Sequence, residues 1–582
     1  MLARTLAVVA SQATPLDLEA VLTATGLLTP LQVTEILHTP RAAGDSLPKS
    51  IAKTMDLPEE RVLTELGRVL GIPFVRLTET EIQADARNRI PTRVVFQYNI
   101  LPMRLENGAL VVATNDPFNA TMVEAVRLVT RSRVRLVLAT EADLSRALKK
   151  YYGVGAETLD ELMQKNVLDL DLVGEPVTKQ DLESDNQEAS VVKFVNQIIA
   201  EAYRERATDI HLEPMENDLR IRYRVDGVLH QVPVPSQLKQ FQAAIISRIK
   251  VMANMDIAER RLPQDGRINV RSGGAEIDVR VSTIPTAHGE SVSLRLLTRS
   301  SIFLGLDRLG LEPDHEKLVR RLVELPHGII LVTGPTGSGK STSLYAFLAT
   351  INSIDQRIIT IEDPIEYELA GVNQMQVKPE IGLTFAAGLR HILRQDPDVI
   401  MVGEIRDLET AEIAIRAALT GHLVFSTLHT NDSAGAITRL LDMGIEPFLV
   451  SSSVEAIIAQ RLVRTICEDC REEYRPDPEL LREVGFPAAD VPTTRFFRGR
   501  GCEECRFTGF RGRTGIYEIL VLTEALRPLV IERAPSTTIK QMACQHGMRT
   551  LRDDGWVKVR AGRTTVEEVA RVTQEDEELI GT

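Results

Sequence analysis

The sequence predicts an α/β multidomain protein whose largest domain is a parallel sheet with a phosphate-binding loop. Its 582 residues suffice for about three or four domains of roughly 150 residues each. Strand and helix patterns alternate over residues 301–460, which is typical of a parallel α/β sheet. A glycine-rich motif, GPTGSGKS, follows a strand pattern at residues 334–341.

The composition argues against two classes of protein. The net charge of −13 and the 4% aromatic content are unlike those of a protein that holds a nucleic-acid backbone. No run approaches the roughly 18 consecutive apolar residues that span a bilayer. The apolar run at residues 6–10 is also shorter than the roughly 7–15 residues of a signal peptide core. We therefore expect a cytoplasmic protein with no nucleic-acid partner.

The N-terminal part of the chain divides into two small domains and a linker. Residues 1–80 are predicted to form a helical domain, because apolar residues recur there at helical spacing. Residues 81–152 mix short β-rich runs with helical patterns, which indicates a small α/β domain. Residues 153–188 are predicted to be an acidic linker, since residues 157–188 hold ten acidic residues and two lysines.

Globular patterning resumes at residue 189. Residues 189–300 are expected to begin with a helix over residues 191–204 and to continue with several strands. Residues 301–464 form the predicted phosphate-binding domain. A cysteine-rich module follows at residues 465–515, and residues 516–582 are predicted to be helical.

The glycine-rich motif has the flanks that a phosphate-binding loop requires, a buried-strand pattern before it and a helix pattern after it. Glycines let backbone N–H groups approach the phosphates, and the helix N-terminus adds partial positive charge. Lys340 would reach the β- and γ-phosphates of ATP, and Ser341 would ligate Mg²⁺. The predicted nucleotide-binding residues are Gly334, Pro335, Thr336, Gly337, Ser338, Gly339, Lys340, Ser341 and Thr342.

Two acidic strand ends downstream of this loop are candidates for the hydrolytic machinery. Glu404 follows an apolar strand in the Walker B position, where Asp is more usual. Glu366 lies in an acidic cluster after another apolar strand, and it is the candidate general base. Glu404 either orders Mg²⁺ through a water or activates the attacking water. Either carboxylate alone would as readily be a surface group, but two after one loop favour hydrolysis.

A third apolar strand, at residues 423–428, is flanked by His422 and His429. A lone histidine is more often structural than functional. The strand ends in polar residues at His429, which suits a sensor of the γ-phosphate. We therefore include His429 among the candidate catalytic residues.

Four of the five cysteines form two Cys-x-x-Cys pairs separated by 31 residues, Cys467 with Cys470 and Cys502 with Cys505. Four thiolates in two chelating turns favour Zn²⁺ in a closed structural site. Redox-active or free thiols are the alternative. Cys544 has no sequence partner and is predicted to be buried.

These motifs resemble those of the secretion ATPase superfamily. The resemblance rests on the phosphate-binding loop, on EDPIEY at residues 362–367, on LRQDPDVIMVGEIRD at residues 393–407, and on the strand between two histidines. Members power type II secretion, type IV pilus extension and retraction, and type IV secretion. The resemblance implies a homohexameric ring in which each subunit joins a PAS-like α+β domain to a RecA-like P-loop ATPase core.

The same resemblance adds two candidate residues in the PAS-like domain. Arg280 and Arg295 occupy the positions that supply arginines to the γ-phosphate in this superfamily. A guanidinium that arrives on domain closure stabilises the charge that develops on the phosphate. For each arginine, a surface ion pair is the structural alternative.

The four-cysteine insertion resembles that of type II secretion and pilus-extension ATPases, and retraction ATPases usually lack it. Residues 256–267, 372–377 and 381–390 resemble the secretion members. The resemblance therefore implies ATP hydrolysis that powers pseudopilus assembly and protein export by type II secretion. A type IV pilus extension ATPase is the alternative. A RecA-like nucleic-acid motor and a non-hydrolysing nucleotide switch are more remote.

The N-terminal region, residues 1–150, resembles the part through which such ATPases dock on an inner-membrane assembly-platform protein. This implies peripheral recruitment to the inner membrane. Residues 25–33 are similar to a domain that binds cyclic di-GMP in some relatives. The chain lacks the clear paired Arg-Leu-Gly repeats of that domain, so cyclic di-GMP is the less favoured partner.

Overall fold

The computed structural model describes residues 18–38, 46–77, 80, 82–153, 180–272, 275–298, 305–502 and 504–573. The chain divides into two compact units. The first unit comprises Met1–Val225, Leu229–Ile268 and Val279–Leu296, and the second comprises Asp226–Val228, Asn269–Asp278 and Leu297–Thr582. Among the helices of the described residues, none is both long and apolar enough to cross a bilayer.

The first unit opens with four short helices around a small apolar core. Leu22, Val33, Ile51 and Leu66 are buried there, at the helical spacing expected from the sequence. Ser46 caps the third helix by accepting a hydrogen bond from the Lys49 N–H. The helices are α1 Leu18–Ala24, α2 Pro30–His38, α3 Leu47–Met55 and α4 Glu59–Leu70.

A three-stranded sheet with four helices follows. Strand β2 pairs antiparallel with β1 and parallel with β3. All three strands contribute to a core that also buries one face of the two longer helices, α7 and α8. The strands are β1 Ile100–Glu106, β2 Ala109–Thr114 and β3 Arg133–Leu138, and the helices are α5 Ala84–Arg87, α6 Thr92–Gln97, α7 Ala120–Thr130 and α8 Glu141–Tyr152.

The rest of the first unit is built on a six-stranded sheet with the order β6-β5-β4-β9-β8-β7. Its helices are α9 Gln180–Arg204 and α10 Gln242–Met252, and its strands are β4 Ala207–Pro214, β5 Leu219–Val225, β6 Val228–Val232, β7 Gln264–Ser272, β8 Ala275–Thr286 and β9 Gly289–Thr298. Helix α9 begins at Gln180 rather than at the expected Val191. Residues 180–188 of the predicted linker are therefore helical, whereas residues 154–179 of it lie outside the described residues.

The second unit contains a seven-stranded sheet with the order β12-β11-β13-β14-β10-β15-β18. Six strands are parallel, and β18 joins the edge antiparallel to β15. Strands β10, β13 and β14 are buried along their whole length, as expected for a parallel sheet covered on both faces. This sheet confirms the predicted α/β P-loop core. The strands are β10 Gly328–Thr333, β11 Ile358–Glu362, β12 Asn373–Gln376, β13 Val399–Val402, β14 Leu423–Leu428, β15 Val454–Ile466 and β18 Phe510–Val521.

Helices cover both faces of this sheet. One face packs in a core that includes Phe347 and Phe425, and the other in a core that includes Leu389 and Ile437. The helices are α11 Pro313–Val323, α12 Lys340–Ile351, α13 Phe385–Ile392, α14 Leu408–Leu419, α15 Ser433–Asp442 and α16 Pro447–Ser453.

The cysteine-rich module is an insertion between β15 and the edge strand β18, which are neighbours in the sheet. It contains an antiparallel pair of strands and one short helix, which are β16 Arg471–Tyr474, β17 Phe496–Gly499 and α17 Pro478–Glu483. Residues 516–521, expected to be helical, belong instead to β18, because that strand pairs with β15 along most of its length. The remaining C-terminal residues are helical as expected, in α18 Arg527–Ile531, α19 Ser536–Gln545, α20 Leu551–Arg560 and α21 Val566–Thr573.

Candidate functional site

The glycine-rich loop runs from the carboxyl end of β10 to the first turn of α12, as its flanks predicted. Gly334 has φ +146°, and a Cβ there would lie 2.5 Å from the carbonyl oxygen of Gln460. Gly339 has φ +92° immediately before the helix. Both positions therefore require glycine. The loop presents the helix N-terminus at the edge of the sheet, the geometry that binds phosphate in this kind of fold.

The side chain of Lys340 folds back over its own loop. Its Nζ donates to the carbonyl oxygens of Gly334 at 2.8 Å and Pro335 at 3.1 Å. Burial lowers the pKa of Lys340, with a smaller contribution from Arg461, while the charge of Glu404 acts in the opposite direction. The ammonium group is thus held over the loop by two main-chain carbonyl oxygens. Ser341 is exposed and Thr342 half-buried in the first turn of α12.

Gln460 on β15 is a site residue that sequence reasoning missed. Its amide nitrogen donates to the Ser338 carbonyl oxygen at 2.7 Å, and its amide oxygen accepts from the Ser343 hydroxyl at 2.8 Å. The amide therefore joins the loop to the following helix. The available signal was a polar residue directly after the apolar run Ile457-Ile-Ala.

Glu404 and His429 lie close together at the carboxyl ends of the adjacent strands β13 and β14. His429 Nε2 is 3.1 Å from Glu404 Oε2, and the Arg406 guanidinium forms an ion pair with the other carboxylate oxygen. The Glu404 side chain is 14% exposed and that of His429 is 51% exposed. Burial acts to raise the pKa of Glu404, but hydrogen bonds from Arg406 and His429 outweigh it and lower the pKa.

The histidine at the other end of β14 has a local role. His422 Nδ1 lies 2.9 Å from the Ala417 carbonyl oxygen and 3.2 Å from the Thr420 hydroxyl. It therefore closes the C-terminal turn of α14, whereas only His429 stands near Glu404. The end of β14 is also tied to the P-loop strand, since the Thr430 N–H donates to the Thr333 hydroxyl at 2.9 Å.

The acidic cluster after β11 contains two different kinds of carboxylate. Glu362 is 4% exposed and accepts hydrogen bonds from Thr360 at 2.7 Å and from Gln374 at 2.9 Å. Glu366 is half-buried beyond the strand end. The carboxyl ends of β10, β11, β13 and β14 meet at one edge of the parallel sheet. Ligands bind at this edge in open α/β sheets, so Glu366 lies on the same edge as the loop.

The two candidate arginines lie in the first unit, on neighbouring strands. Arg295 on β9 forms an ion pair with the buried Asp209, at 3.0 Å between Nε and Oδ1, and keeps 55% of its side chain exposed. Arg280 is half-buried on β8. Arg224 of β5 approaches the other oxygen of Asp209 at 3.7 Å. Asp209 therefore faces two guanidinium groups, and Arg295 remains accessible.

Cys467, Cys470, Cys502 and Cys505 form one cluster, with all four sulfur atoms within 4.8 Å of one another. Three of the S···S distances are 3.7 Å. Four sulfurs at about 2.3 Å from one ion form a tetrahedron with edges of about 3.8 Å. The cluster therefore fits tetrahedral zinc, as the spacing predicted.

Backbone N–H groups support this cluster. Cys502 and Gly509 donate to the Cys505 sulfur at 3.1 and 3.3 Å, and Gly501 donates to the Cys470 sulfur at 3.3 Å. Burial acts to raise the pKa of Cys505, but hydrogen bonds from the Cys502 and Gly509 N–H groups and from the Cys470 and Cys502 side chains outweigh it and bring the pKa to about 7. Such N–H groups stabilise a thiolate, the form that binds metal. Cys544, predicted to be buried, is half-buried and lies outside the cluster.

Comparisons with known proteins agree with these features. The family model described as type II/IV secretion system protein matches residues 184–571, and the MshEN domain model matches residues 70–158. The second match covers the small α/β domain and does not include residues 25–33, on which we based the similarity to a domain that binds cyclic di-GMP.

Proteins with similar sequences cover most of the chain. The type IV pilus assembly ATPase PilB of Myxococcus xanthus is 41% identical over 541 residues, which is 92% of this chain and 94% of that protein. Type II secretion system protein E of Aeromonas hydrophila is 50% identical over 505 residues, 86% of this chain and 99% of that protein. A crystal structure of the pilus retraction motor PilT with bound ADP is 29% identical and covers 66% of this chain and 99% of that one, with a TM-score of 0.44.

Proposed function

Because the chain belongs to the family of type II/IV secretion system proteins, we propose that it hydrolyses ATP to ADP and phosphate to power pseudopilus assembly and protein export by a type II secretion system. One arrangement carries the proposal. Lys340 lies on a P-loop. Glu404 and His429 follow the adjacent strands β13 and β14, and their side chains are 3.1 Å apart. Lys340 would bind phosphate, and Glu404, hydrogen-bonded to His429, offers a carboxylate on the same edge of the sheet. This combination suits hydrolysis of the nucleotide better than its storage.

The carbonyl bonds of Lys340 support its role as the phosphate-binding cation, because phosphate oxygens would replace the Gly334 and Pro335 carbonyls as acceptors. Mg²⁺, held by Ser341 together with ATP, would neutralise charge on the phosphates. Glu366 is the candidate general base. Glu404 either orders the metal through a water or activates the attacking water, and its lowered pKa keeps it charged for either role. His429 would sense the γ-phosphate.

Two arginines of the first unit are further candidates for contact with the nucleotide. Arg280 and Arg295 are proposed to contact the γ-phosphate when the domains close around ATP. The 55% exposure of Arg295 supports such a transfer from its partner Asp209. Because guanidinium groups stabilise the transition state only after closure, hydrolysis would be coupled to domain movement. We propose that a homohexameric ring passes this movement to the secretion machine.

The N-terminal domain is the proposed docking site for an inner-membrane assembly-platform protein, which would recruit the chain from the cytoplasm to the membrane. The MshEN match at residues 70–158 makes cyclic di-GMP a second candidate partner. The four-cysteine cluster would hold Zn²⁺ as a structural ion, because all four positions of a tetrahedral site are taken by protein sulfur.

Type IV pilus extension is a second candidate function. It is favoured by the match to PilB, which extends over 541 residues, against 505 for the protein E relative. The higher identity to that relative, 50% against 41%, favours type II secretion. The net charge of −13 argues against the nucleic-acid motor.

Replacement of Lys340 tests both the chemistry and the machine. Lys340→Ala in the full chain should abolish ATP hydrolysis without unfolding it, whereas Lys378→Ala, at an exposed lysine of the same unit, should leave hydrolysis unchanged. Hydrolysis retained by Lys340→Ala would contradict the site. In the source cell, loss of exported enzymes with pili intact would support type II secretion. Loss of pili with export intact would assign the chain to pilus extension.

A further inference from the structure

A buried phenol joins the P-loop helix to the acidic segment after β11. Tyr345 lies on α12, which begins at Lys340, and is 7% exposed. Its hydroxyl donates to the carboxylate of Glu362 and accepts from the Glu366 N–H at 3.1 Å, with the Tyr367 N–H at 3.5 Å. One side chain of the nucleotide-binding helix thus meets three groups of this segment.

The direction of these hydrogen bonds is fixed by the groups around the phenol. The N–H groups of Glu366 and Tyr367 can only donate to its oxygen, and the Glu362 carboxylate, which also accepts from Thr360 and Gln374, is the remaining partner. The single hydrogen of the phenol must therefore point toward Glu362. The oxygen lone pairs accept from the two backbone N–H groups. The hydroxyl therefore makes all the hydrogen bonds of which it is capable.

Ring packing restricts Tyr345 further. The rings of Tyr345 and Tyr367 meet edge to face, with centroids 5.9 Å apart and planes at 70°. The ring can neither turn its hydroxyl away nor move without displacing the segment that follows. A shift of α12 when its N-terminus binds phosphate would therefore reach the backbone of Glu366 through this contact.

From this geometry we infer that Tyr345 is a positioning residue that holds Glu366 in place relative to the P-loop. The inference rests on the proposed role of Glu366 as general base. In this role Tyr345 contacts neither the nucleotide-binding loop nor the reacting atoms. Its hydroxyl fixes the main chain from which the Glu366 carboxylate extends, and misplacement of a catalytic group by a fraction of an ångström slows turnover.

The test is removal of the hydroxyl alone. Tyr345→Phe in the full chain should lower kcat about tenfold, as expected for one lost hydrogen bond that positions a catalytic group, and change KM for ATP less than about twofold. Tyr223→Phe is the matched control. Tyr223 is also a buried phenol, and it donates to the Ile198 carbonyl oxygen at 3.1 Å in the first unit. The Tyr223→Phe variant should lose about as much thermal stability as Tyr345→Phe and should keep the kcat of the unmodified chain.

Three results would overturn the inference: a kcat for Tyr345→Phe equal to that of the control, equal changes in kcat and KM, or full turnover by Glu366→Gln. An inactive Glu366→Gln together with an unaffected Tyr345→Phe would overturn the positioning role and leave the proposed hydrolysis intact. Retained turnover by Lys340→Ala would instead contradict the proposed function. If Tyr345→Phe does not fold, Glu362→Gln should lower kcat in the same way, since a neutral amide holds the phenol less strongly; an unchanged kcat there would overturn the inference.

Discussion

Gln460 on β15 donates its amide hydrogen to the Ser338 carbonyl oxygen at 2.7 Å and so fastens the P-loop to the sheet. The same amide accepts from Ser343 of the following helix at 2.8 Å. Gln460 is 2% exposed, so water cannot take over either bond if the amide is removed. The shape of the nucleotide loop therefore depends on a residue of a strand far from it in sequence.

Gln460→Met should weaken ATP binding about tenfold and lower the free energy of unfolding by about 1–3 kcal/mol, since two buried polar groups lose their partner. Nucleotide titration and chemical denaturation measure the two effects. Gln395→Met serves as the control, because within the described residues the side-chain amide of Gln395 bonds only the exposed Arg357, at 3.2 Å. ATP affinity equal to that of the control would show that the loop keeps its shape without Gln460.

Asp554 and His315 are buried side chains 3.5 Å apart, and their pKa values are shifted in opposite directions. Burial raises the pKa of Asp554 to about 6, so the native state keeps a proton that the unfolded chain loses above its ordinary value. This contribution makes the free energy of unfolding fall between about pH 4 and pH 6. Burial lowers the pKa of His315 to about 4, so the native state binds fewer protons there. That contribution makes the free energy of unfolding rise over the same range.

Separate replacements of the pair should therefore give pH dependences of opposite sign relative to the unmodified chain. Asp554→Asn removes the falling contribution and should make stability increase more steeply with pH, by at most about 1.4 kcal/mol per pH unit. His315→Asn removes the contribution that rises with pH. In this variant the free energy of unfolding should increase less steeply with pH, or should fall. Urea denaturation at half-unit pH steps measures both slopes. Changes of the same sign in both variants would contradict this account.

Residues in local motifs could be predicted from the sequence, whereas the contacts that hold them in place could not. Lys340 and Glu404 were found because a P-loop and a strand-end carboxylate need a particular local sequence. The Gln460–Ser338 bond joins residues 122 positions apart, and no local pattern encodes it. The helix start at Gln180 was missed because acidic, polar residues carry little apolar periodicity. Strand β18 was missed because its pairing with β15 depends on an intervening insertion.

An ion pair between the buried Glu518 and the half-buried Lys540 supports the loop that carries His429. Glu518 is fully buried on β18 and accepts from both the N–H, at 2.9 Å, and the hydroxyl of Ser433, the first residue of α15. Lys540 of α19 lies 3.4 Å from Glu518 and 3.1 Å from Asp432. Burial raises the pKa of Glu518, while Lys540 acts to lower it. The pair thus joins the C-terminal helices to the residues that follow His429.

Lys540→Met should cost roughly 3 kcal/mol of the free energy of unfolding, because it leaves a buried carboxylate without its cation. Glu518→Gln keeps an acceptor for Ser433 and should cost less. The double variant should be more stable than the sum of the two single changes predicts, since neither charge remains. Chemical denaturation of the three variants measures this coupling. Strict additivity would mean that Lys540 and Glu518 do not interact in solution.

Loss of one sulfur should release the metal and loosen the module around it. The 3.7 Å separations suit an ion held by four sulfurs, so Cys467→Ser should reduce bound zinc from about one per chain toward zero. The single tryptophan, Trp556, reports on the result, because its ring packs at 5.3 Å from Phe486 of the module. Its fluorescence transition should shift to lower temperature in Cys467→Ser, and a chelator should shift the unmodified chain similarly. Cys544→Ser, outside the cluster, should keep both zinc and the transition. Unchanged zinc content together with an unchanged transition in Cys467→Ser would instead mean that the four sulfurs do not hold the ion.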